Sequence, residues 1–210
     1  MITVVDYGMG NLMSVSRAFE AVGAEVRVSG VPAEIEGAER LVLPGVGAFG
    51  DGMLGLMERG LVEPINSYAV SGRPLLGICL GMQLLFDSSD EFGEFGGLGL
   101  IRGRVRKVPA RGADGQPHKI PHIGWSGIVP VRDWRDTLLQ GIERDVATYF
   151  VHSYAPEPAD EGDRLADTYY DGCRISAVVR HGAITGCQFH PEKSAAVGLK
   201  ILANFAAGHA

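Results

Sequence analysis

A cysteine near the middle of the chain has neighbours that could make it a nucleophile. Cys79 lies between Gly77 and Gly81, after the apolar residues 74–76 and before an apolar segment that begins at Met82. This arrangement at a strand-to-helix junction is typical of a nucleophile elbow. The tight turn strains the central residue, and the start of the helix offers free N–H groups that favour a thiolate. The alternative is an ordinary buried cysteine in a tight turn.

A nucleophilic thiol needs a base within hydrogen-bond reach, and the base needs a group that orients it. Among the six histidines, His190 is the best candidate because it ends an apolar strand and is followed by Pro191 and Glu192. The proline keeps the chain extended, so side chains two residues apart share a face and the carboxylate can reach the imidazole. The alternative is a surface histidine beside an exposed glutamate.

The loop Pro44-Gly45-Val46-Gly47 is a candidate for stabilising negative charge on a reacting oxygen. Its glycines leave the backbone N–H groups free, and the N–H of Val46 could act together with that of Leu80. The alternative is an ordinary turn at the end of a strand.

Apolar patterns in the first 86 residues predict strands that alternate with helices. The predicted strands are residues 2–6, 25–28, 41–43 and 74–76. The predicted helices follow an Asn11 cap, or occupy residues 51–60 and 61–71 with breaks at Gly60 and Pro64. Such alternation indicates parallel β-α-β units, in which ligands bind at the carboxyl ends of the strands. Cys79 and the loop at 44–47 both lie at such ends.

The second half of the chain predicts mainly antiparallel strands. Residues 100–108 alternate like a hairpin arm with its arginines outward, and residues 120–125 are predicted to be short and irregular. Further strands are predicted at residues 149–154, 165–170, 174–180 and 183–189, before a last helix that begins near Ser194. We therefore predict one α/β domain over residues 1–210, with a mixed, mostly parallel sheet flanked by helices and an antiparallel extension.

The composition is ordinary for a globular protein and argues against several functions. The net charge of −6 disfavours nucleic acid and anionic membrane surfaces as partners, and no apolar run is long enough to span a bilayer. The three cysteines lack metal-ligand spacing and predict neither a disulfide framework nor a zinc site, and nothing indicates a metal or a bound cofactor. Because the first residues lack a basic leader, we expect a cytoplasmic protein.

Two blocks of the chain, GICLGMQLL at 77–85 and QFHPEKS at 188–194, resemble the class I glutamine amidotransferases. Further blocks are similar to the glutaminase subunits of imidazole glycerol phosphate synthases: DYGMGNL at 6–12, PGVG at 44–47, PHIGW at 121–125 and FVHSY at 150–154. The resemblance implies a flavodoxin-like fold and hydrolysis of glutamine to glutamate and ammonia by Cys79, His190 and Glu192.

The resemblance also implies roles for other residues. The N–H groups of Leu80 and Val46 would form the oxyanion hole. The residues that would bind glutamine are Gly47, Gln83, Glu91, Ser153 and Tyr154. The charge of Glu91 suits an ammonium group independently of the family, although a solvated residue in an acidic loop is the alternative.

In the resembled family, a (β/α)8-barrel cyclase subunit forms a heterodimer with the glutaminase and uses its ammonia. There the products are imidazole glycerol phosphate and an aminoimidazole carboxamide ribotide, in histidine biosynthesis. The residues that match the family's interface are Asn11, Trp125, Tyr149 and Lys193. The resemblance implies low glutaminase activity until the partner binds its own ligand. We hypothesise that the Gly45–Val46 peptide is the gate, because glycine makes its flip inexpensive.

Three other functions stay open. A sibling amidotransferase, such as the glutaminase of anthranilate synthase, shares the catalytic residues, although Met82 and the block at 7–12 argue against it. A stand-alone cysteine hydrolase or peptidase on the same fold would turn over other amides without a partner. A non-catalytic binding module is disfavoured because Cys79, His190 and Glu192 are all present.

Overall fold

The structure is a computed structural model that describes residues 1–209. Strands and helices alternate in the first part of the chain: β1 (Ile2–Val5), α1 (Leu12–Ala21), β2 (Val26–Ser29), α2 (Pro32–Glu36), β3 (Arg40–Gly45), α3 (Phe49–Glu58), α4 (Val62–Val70), β4 (Leu75–Cys79) and α5 (Leu80–Leu84). Strands then dominate: β5 (Phe86–Ser89), β6 (Phe95–Gly96), β7 (Ile101–Lys107), β8 (His122–Pro130), β9 (Val146–His152), β10 (Tyr154–Pro158), β11 (Arg164–Tyr170), β12 (Cys173–His181) and β13 (Ile184–Cys187), followed by α6 (Ala195–Ala207).

A nine-stranded sheet in the order β2-β1-β3-β4-β13-β12-β11-β8-β9 forms the centre of the fold. The strands from β2 to β13 run parallel to one another, and the pairings from β13 to β9 are antiparallel. The predicted α/β architecture with an antiparallel extension is therefore confirmed. The chain reverses at Asp171-Gly172 and at His181-Gly182, so that β11, β12 and β13 pair in succession as antiparallel neighbours.

A second sheet of four strands, in the order β10-β7-β5-β6, was not predicted. The alternation within β7 is confirmed, since its three arginines, at positions 102, 104 and 106, are exposed. Its assignment to a hairpin is wrong, because β7 pairs antiparallel with the distant β10 and parallel with β5. Both pairings join segments far apart in sequence, which a local pattern does not show.

The prediction that residues 120–125 are irregular is also wrong, since His122 begins the nine-residue strand β8. Pro121 and Gly124 weaken the local strand signal. The strand forms nevertheless, because β8 pairs continuously with β9 from His122–His152 to Ile128–Val146. The strand predicted at 149–154 is split at Ser153, where the chain leaves the large sheet and enters the small one.

The N-terminal ends of α1, α4 and α2 each contain a residue that is typical of a helix start. The side chain of Asn11 accepts a hydrogen bond from the N–H of Ser14 at 3.2 Å and so caps α1 as predicted. Pro64 does not break the predicted helix, because it lies in the first turn of α4, where an N–H has no acceptor within the helix. The short helix α2 begins with Pro32 and was not predicted.

Helices cover both faces of the large sheet, and alternate strand residues point to opposite cores. On one face, Val4 and Ile78 pack with residues of α1 and α6, including Phe19 and Phe205. On the other face, Leu43 packs with residues of the α3 and α4 side of the molecule. No helix within residues 1–209 is long and apolar enough to cross a membrane.

Candidate active site

Cys79 is the last residue of β4 and immediately precedes α5. Its φ of 55° and ψ of −112° are strained for a residue with a side chain. A side chain at Gly77 would lie 2.7 Å from the backbone of Met82, and one at Gly81 would overlap the carbonyl oxygen of Leu43. Both glycines are therefore required by close backbone contacts, and the turn has the geometry expected of a nucleophile elbow.

His190 is brought to the same edge of the sheet because β13 pairs in parallel with β4, with Cys187 opposite Ile78. Its backbone N–H donates to the carbonyl oxygen of Tyr149 at 2.9 Å. Its side-chain Nδ1 lies 2.7 Å from Oε1 of Glu192. The two side chains are only 3% and 1% exposed, so the pair is shielded from water.

The free nitrogen of His190, Nε2, is buried and has no hydrogen-bond partner within residues 1–209. Burial opposes a charge on this ring, but Cys79 and Glu192 outweigh it and raise the pKa of His190 to about 10. A buried imidazole with a carboxylate on one nitrogen and a thiol nearby is the arrangement that activates a sulfur nucleophile.

Cys79 and His190 line one cavity of about 360 Å³. Other residues that line it come from the 44–47 loop, α5, the segment between β5 and β6, the residue before β8 and the chain around the Ser153 break: Val46, Gly47, Leu80, Gln83, Glu91, Pro121, Val151, His152, Ser153 and Tyr154. The structure thus brings the residues predicted to bind glutamine and to hold the oxyanion around the cysteine. Glu192 lies behind His190 and does not line the cavity.

Glu91 reaches the cavity from the segment between β5 and β6 of the small sheet. One carboxylate oxygen accepts the N–H of Phe49, the first residue of α3, at 2.8 Å. Burial raises the pKa of Glu91, and the hydrogen bond from Phe49 partly offsets that effect. The helix start fixes one oxygen and leaves the second free for a cationic group.

Two buried glutamines lie next to the cysteine. The side-chain nitrogen of Gln83 donates to the backbone oxygen of Tyr154 at 2.9 Å and to Oε1 of Gln188 at 3.1 Å. The side-chain nitrogen of Gln188 lies 3.8 Å from Sγ of Cys79. Sequence reasoning assigned no role to Gln188, although an amide at the end of an apolar strand is a signal that could have identified it.

The 44–47 loop is held from below by Tyr7. The hydroxyl of this fully buried tyrosine donates to the carbonyl oxygen of Pro44 at 2.8 Å. Gly45 is packed against Tyr7 and Leu80, so a side chain there would overlap them. Val46 is 43% exposed at the mouth of the cavity. Sequence reasoning missed Tyr7, whose role depends on the pairing of β1 with β3.

The residues predicted at a partner interface lie outside the cavity. Trp125 is 54% exposed and packs edge-on against Tyr149, with ring centroids 5.9 Å apart. Lys193 is exposed beside Glu192, and the exposed Asn11 caps α1. Within residues 1–209, no group of three or more histidine, cysteine or acidic side chains could hold a metal ion.

Comparisons with known proteins agree with this geometry. The profile of the family Glutamine amidotransferase class-I matches residues 3–208. The chain is 53% identical over 207 residues to imidazole glycerol phosphate synthase subunit HisH 1 of Legionella pneumophila (strain Lens), covering 97% of each chain. It is 51% identical over 205 residues to subunit HisH of Geobacillus kaustophilus (strain HTA426), covering 98% of this chain and 95% of the relative.

The fold is also found among solved structures. A crystal structure of a glutamine amidotransferase superposes with a TM-score of 0.74 over 99% of this chain and 100% of the other, at 20% identity. With the matched family, the near-complete coverage and the cysteine elbow at the sheet edge, the chain belongs to the class I glutamine amidotransferases.

Proposed function

We propose that this chain is the glutaminase subunit of an imidazole glycerol phosphate synthase and that Cys79, His190 and Glu192 carry out the hydrolysis. The observation that carries the proposal is the buried His190–Glu192 pair, 2.7 Å apart, whose imidazole lines the same cavity as the strained cysteine. The relatives with about half of their residues identical are named as subunits of that synthase.

In the proposed reaction, Sγ of Cys79 attacks the side-chain amide carbon of glutamine. His190 takes the thiol proton, or pairs with the thiolate, and then protonates the departing ammonia. A water molecule, deprotonated by the same imidazole, hydrolyses the thioester to glutamate and restores the thiol. Glu192 holds the imidazole in one orientation and stabilises its cation, as its hydrogen bond to Nδ1 allows.

The negative oxygen of each tetrahedral intermediate would be held by the N–H groups of Leu80 and Val46, both of which line the cavity. The Gly45–Val46 peptide stays our candidate for a gate. The tyrosine contact to Pro44 fixes one end of the loop, while the exposed Val46 leaves the other end free to turn. A flip of this peptide would exchange its carbonyl oxygen for its N–H in the hole.

Glutamine would lie across the cavity with its two charged groups at opposite partners. The free carboxylate oxygen of Glu91 would bind the ammonium group, and the backbone at Ser153 and Tyr154 would bind the carboxylate. Gly47 and Gln83 would border the side chain. Gln83 already uses its nitrogen for Tyr154 and Gln188, so its contribution would be to shape this wall of the cavity.

Ammonia released in the cavity would pass to a cyclase partner, which we propose to be a (β/α)8 barrel bound over the site. Asn11, Trp125, Tyr149 and Lys193 would contact it. Support comes from the exposure of Trp125 on the strand next to Tyr149, whose backbone oxygen holds the N–H of His190. A large exposed aromatic side chain of this kind is common at protein interfaces.

The test is a glutaminase assay of wild type and Cys79→Ala, with and without a cyclase subunit and its nucleotide ligand. We expect activation of the wild type by the complex and loss of activity in the variant. Cys173→Ser is the matched control, because its thiol contacts the backbone oxygen of Arg111 and neither residue lines the cavity. Equal activity with and without the partner would favour a stand-alone hydrolase, and undiminished activity of Cys79→Ala would end the proposal.

A further inference from the structure

Two buried histidines take no part in the proposed reaction: His152 lines the cavity, and His122 lies next to it. His122 begins β8, His152 ends β9, and the two residues are direct neighbours in the sheet. Nδ1 of His122 lies 3.1 Å from Nε2 of His152. The residues are 1% and 6% exposed, so the pair is largely shielded from solvent.

The contacts at the two ends of the pair fix the position of each ring hydrogen. Nδ1 of His152 lies 2.9 Å from the backbone oxygen of Tyr154, which can only accept, so this nitrogen carries the hydrogen. Nε2 of an uncharged His152 is then an acceptor, and His122 must donate to it from Nδ1. Nε2 of His122 is left to accept from the hydroxyl of Ser126 at 2.8 Å.

The surroundings disfavour a charge on either ring. Burial lowers the pKa of His122 to about 4 and that of His152 to about 3, and His122 adds to the effect on its neighbour. The ring of His122 is stacked between Phe150 and Tyr170, with centroid distances of 4.9 and 4.2 Å.

Three titratable groups outside the pair act on it. Asp171 favours the cation of His122 and His118 opposes it, while His190 opposes a charge on His152. The carboxylate of Asp171 is exposed and already 3.0 Å from the ring of His118. Within residues 1–209, neither ring has a carboxylate as a hydrogen-bond partner, in contrast to the arrangement at His190.

The backbone oxygen of Tyr154 is the last acceptor in this series of hydrogen bonds. It lies at the corner where the polypeptide passes from the large sheet to the small one. His152 ends β9 in the large sheet and Tyr154 begins β10 in the small one, with Ser153 between them. The oxygen of Tyr154 receives hydrogen bonds from both His152 and Gln83. Ser153 and Tyr154 line the cavity.

We propose that the His122–His152 pair positions the corner at Ser153 and Tyr154 for glutamine binding, with each ring carrying its hydrogen on Nδ1. The identity of the ligand rests on the proposed function, whereas the hydrogen positions do not. If His152 instead carried its hydrogen on Nε2, the lone pair of Nδ1 would face the oxygen of Tyr154. The donor from His122 prevents this by occupying Nε2 as an acceptor.

The direct test is nitrogen NMR of the full chain with ¹⁵N-labelled histidine at neutral pH, which distinguishes the two hydrogen positions. We expect His122 and His152 to be uncharged with the hydrogen on Nδ1. A hydrogen on Nε2, or a charged ring, in either residue would overturn the proposal. This result does not depend on catalysis, so it is separate from any failure of the proposed function.

The second test compares His122→Phe with His122→Asn in the glutaminase assay of the complex. Phenylalanine keeps the stacked ring but removes the donor, whereas the asparagine amide can donate from near the position of Nδ1. Loss of one neutral hydrogen bond of about 1 kcal/mol corresponds to a rise of about fivefold in KM. We expect that rise for His122→Phe, with a smaller change in kcat, and a KM near wild type for His122→Asn.

Three outcomes of this comparison would contradict the positioning role. They are an unchanged KM in His122→Phe, an equal rise in both variants, and a loss confined to kcat. Should His122→Phe fail to fold, the NMR measurement on the wild type decides the proposal on its own.

Discussion

His190 and His152 are both buried and both line the cavity, and the ring of each has one side-chain hydrogen-bond partner. Glu192 holds His190 at 2.7 Å, and His122 holds His152 at 3.1 Å. Burial opposes a charge on both rings. The pKa of His190 is nevertheless raised to about 10, whereas that of His152 is lowered to about 3.

The difference shows that the neighbouring groups, and not burial alone, decide the charge of a buried histidine here. Cys79 and the Glu192 carboxylate together compensate the lost hydration of the His190 imidazolium, whereas the second imidazole beside His152 shares a single hydrogen and offers no negative charge. One pair is therefore suited to proton transfer, and the other to fixed hydrogen bonding. The predictions below test this contrast.

Removing the charge of Glu192 should have the largest effect. Glu192→Gln keeps the shape of the side chain but cannot stabilise the imidazolium, so we expect kcat to fall by about 10³–10⁴-fold. Glu157→Gln is the control, because that carboxylate pairs with Arg106 on the surface at 3.1 Å. A fall in kcat of less than tenfold would show that the Glu192 carboxylate does not determine the function of the His190–Glu192 pair.

Placing a carboxylate beside His152 should favour a charged ring there, as in the His190–Glu192 pair. In His122→Asp, we expect the pKa of His152 to rise from about 3 to above the usual value of about 6.5, because the anion stabilises the imidazolium. Histidine NMR titration measures it. His122→Asn is the uncharged control of the same shape. If His152 stays uncharged at pH 6 in the aspartate variant, the partner is not the deciding factor.

The His122–His152 pair and the His190–Glu192 pair should change the pH dependence of stability in opposite directions. The unfolded chain binds more protons than the fold between about pH 4 and 6.5 at His122 and His152, so stability should rise with pH there. The fold binds more protons at His190 between about pH 6.5 and 10, so that contribution should be lost as pH rises through this range.

Urea unfolding at a series of pH values measures both limbs, with a slope of up to about 1.4 kcal/mol per pH unit for each proton, and so up to about twice that on the acid limb, where two histidines contribute. His122→Phe should reduce the slope of the acid limb, and Glu192→Gln that of the alkaline limb, where the effect of Cys79 on the pKa of His190 persists. Unchanged limbs in these variants would assign the titration to other groups.

The smallest effect is expected for Ser126, whose hydroxyl contacts His122 at the outer end of the His122–His152 pair. Ser126→Ala removes the donor to Nε2 of His122, and because Ser126 is half-buried, water can replace it. We expect a loss in the free energy of unfolding below about 1 kcal/mol and unchanged hydrogen positions in both rings. A larger loss, or a hydrogen that moves to Nε2, would mean that Ser126 fixes the orientation of the pair.

Sequence reasoning succeeded where the relevant groups are close along the chain. The glycines around Cys79 follow from the tight turn itself, and Glu192 is only two residues from His190. The alternation of strands and helices up to residue 86 likewise predicts the parallel half of the sheet, because each signal is local. The amidotransferase family could also be recognised from short blocks of residues.

Only the tertiary structure decided the contacts between distant segments. The β8–β9 register joins His122 to His152 across 30 residues, and the β10–β7 pairing creates a second sheet that no local pattern indicates. Tyr7 and Gln188 likewise acquire partners only through strand order. The sequence by itself therefore determined the candidate nucleophile and its candidate base, whereas strand pairing decided which neutral side chains lie beside them, because register depends on packing along whole strands.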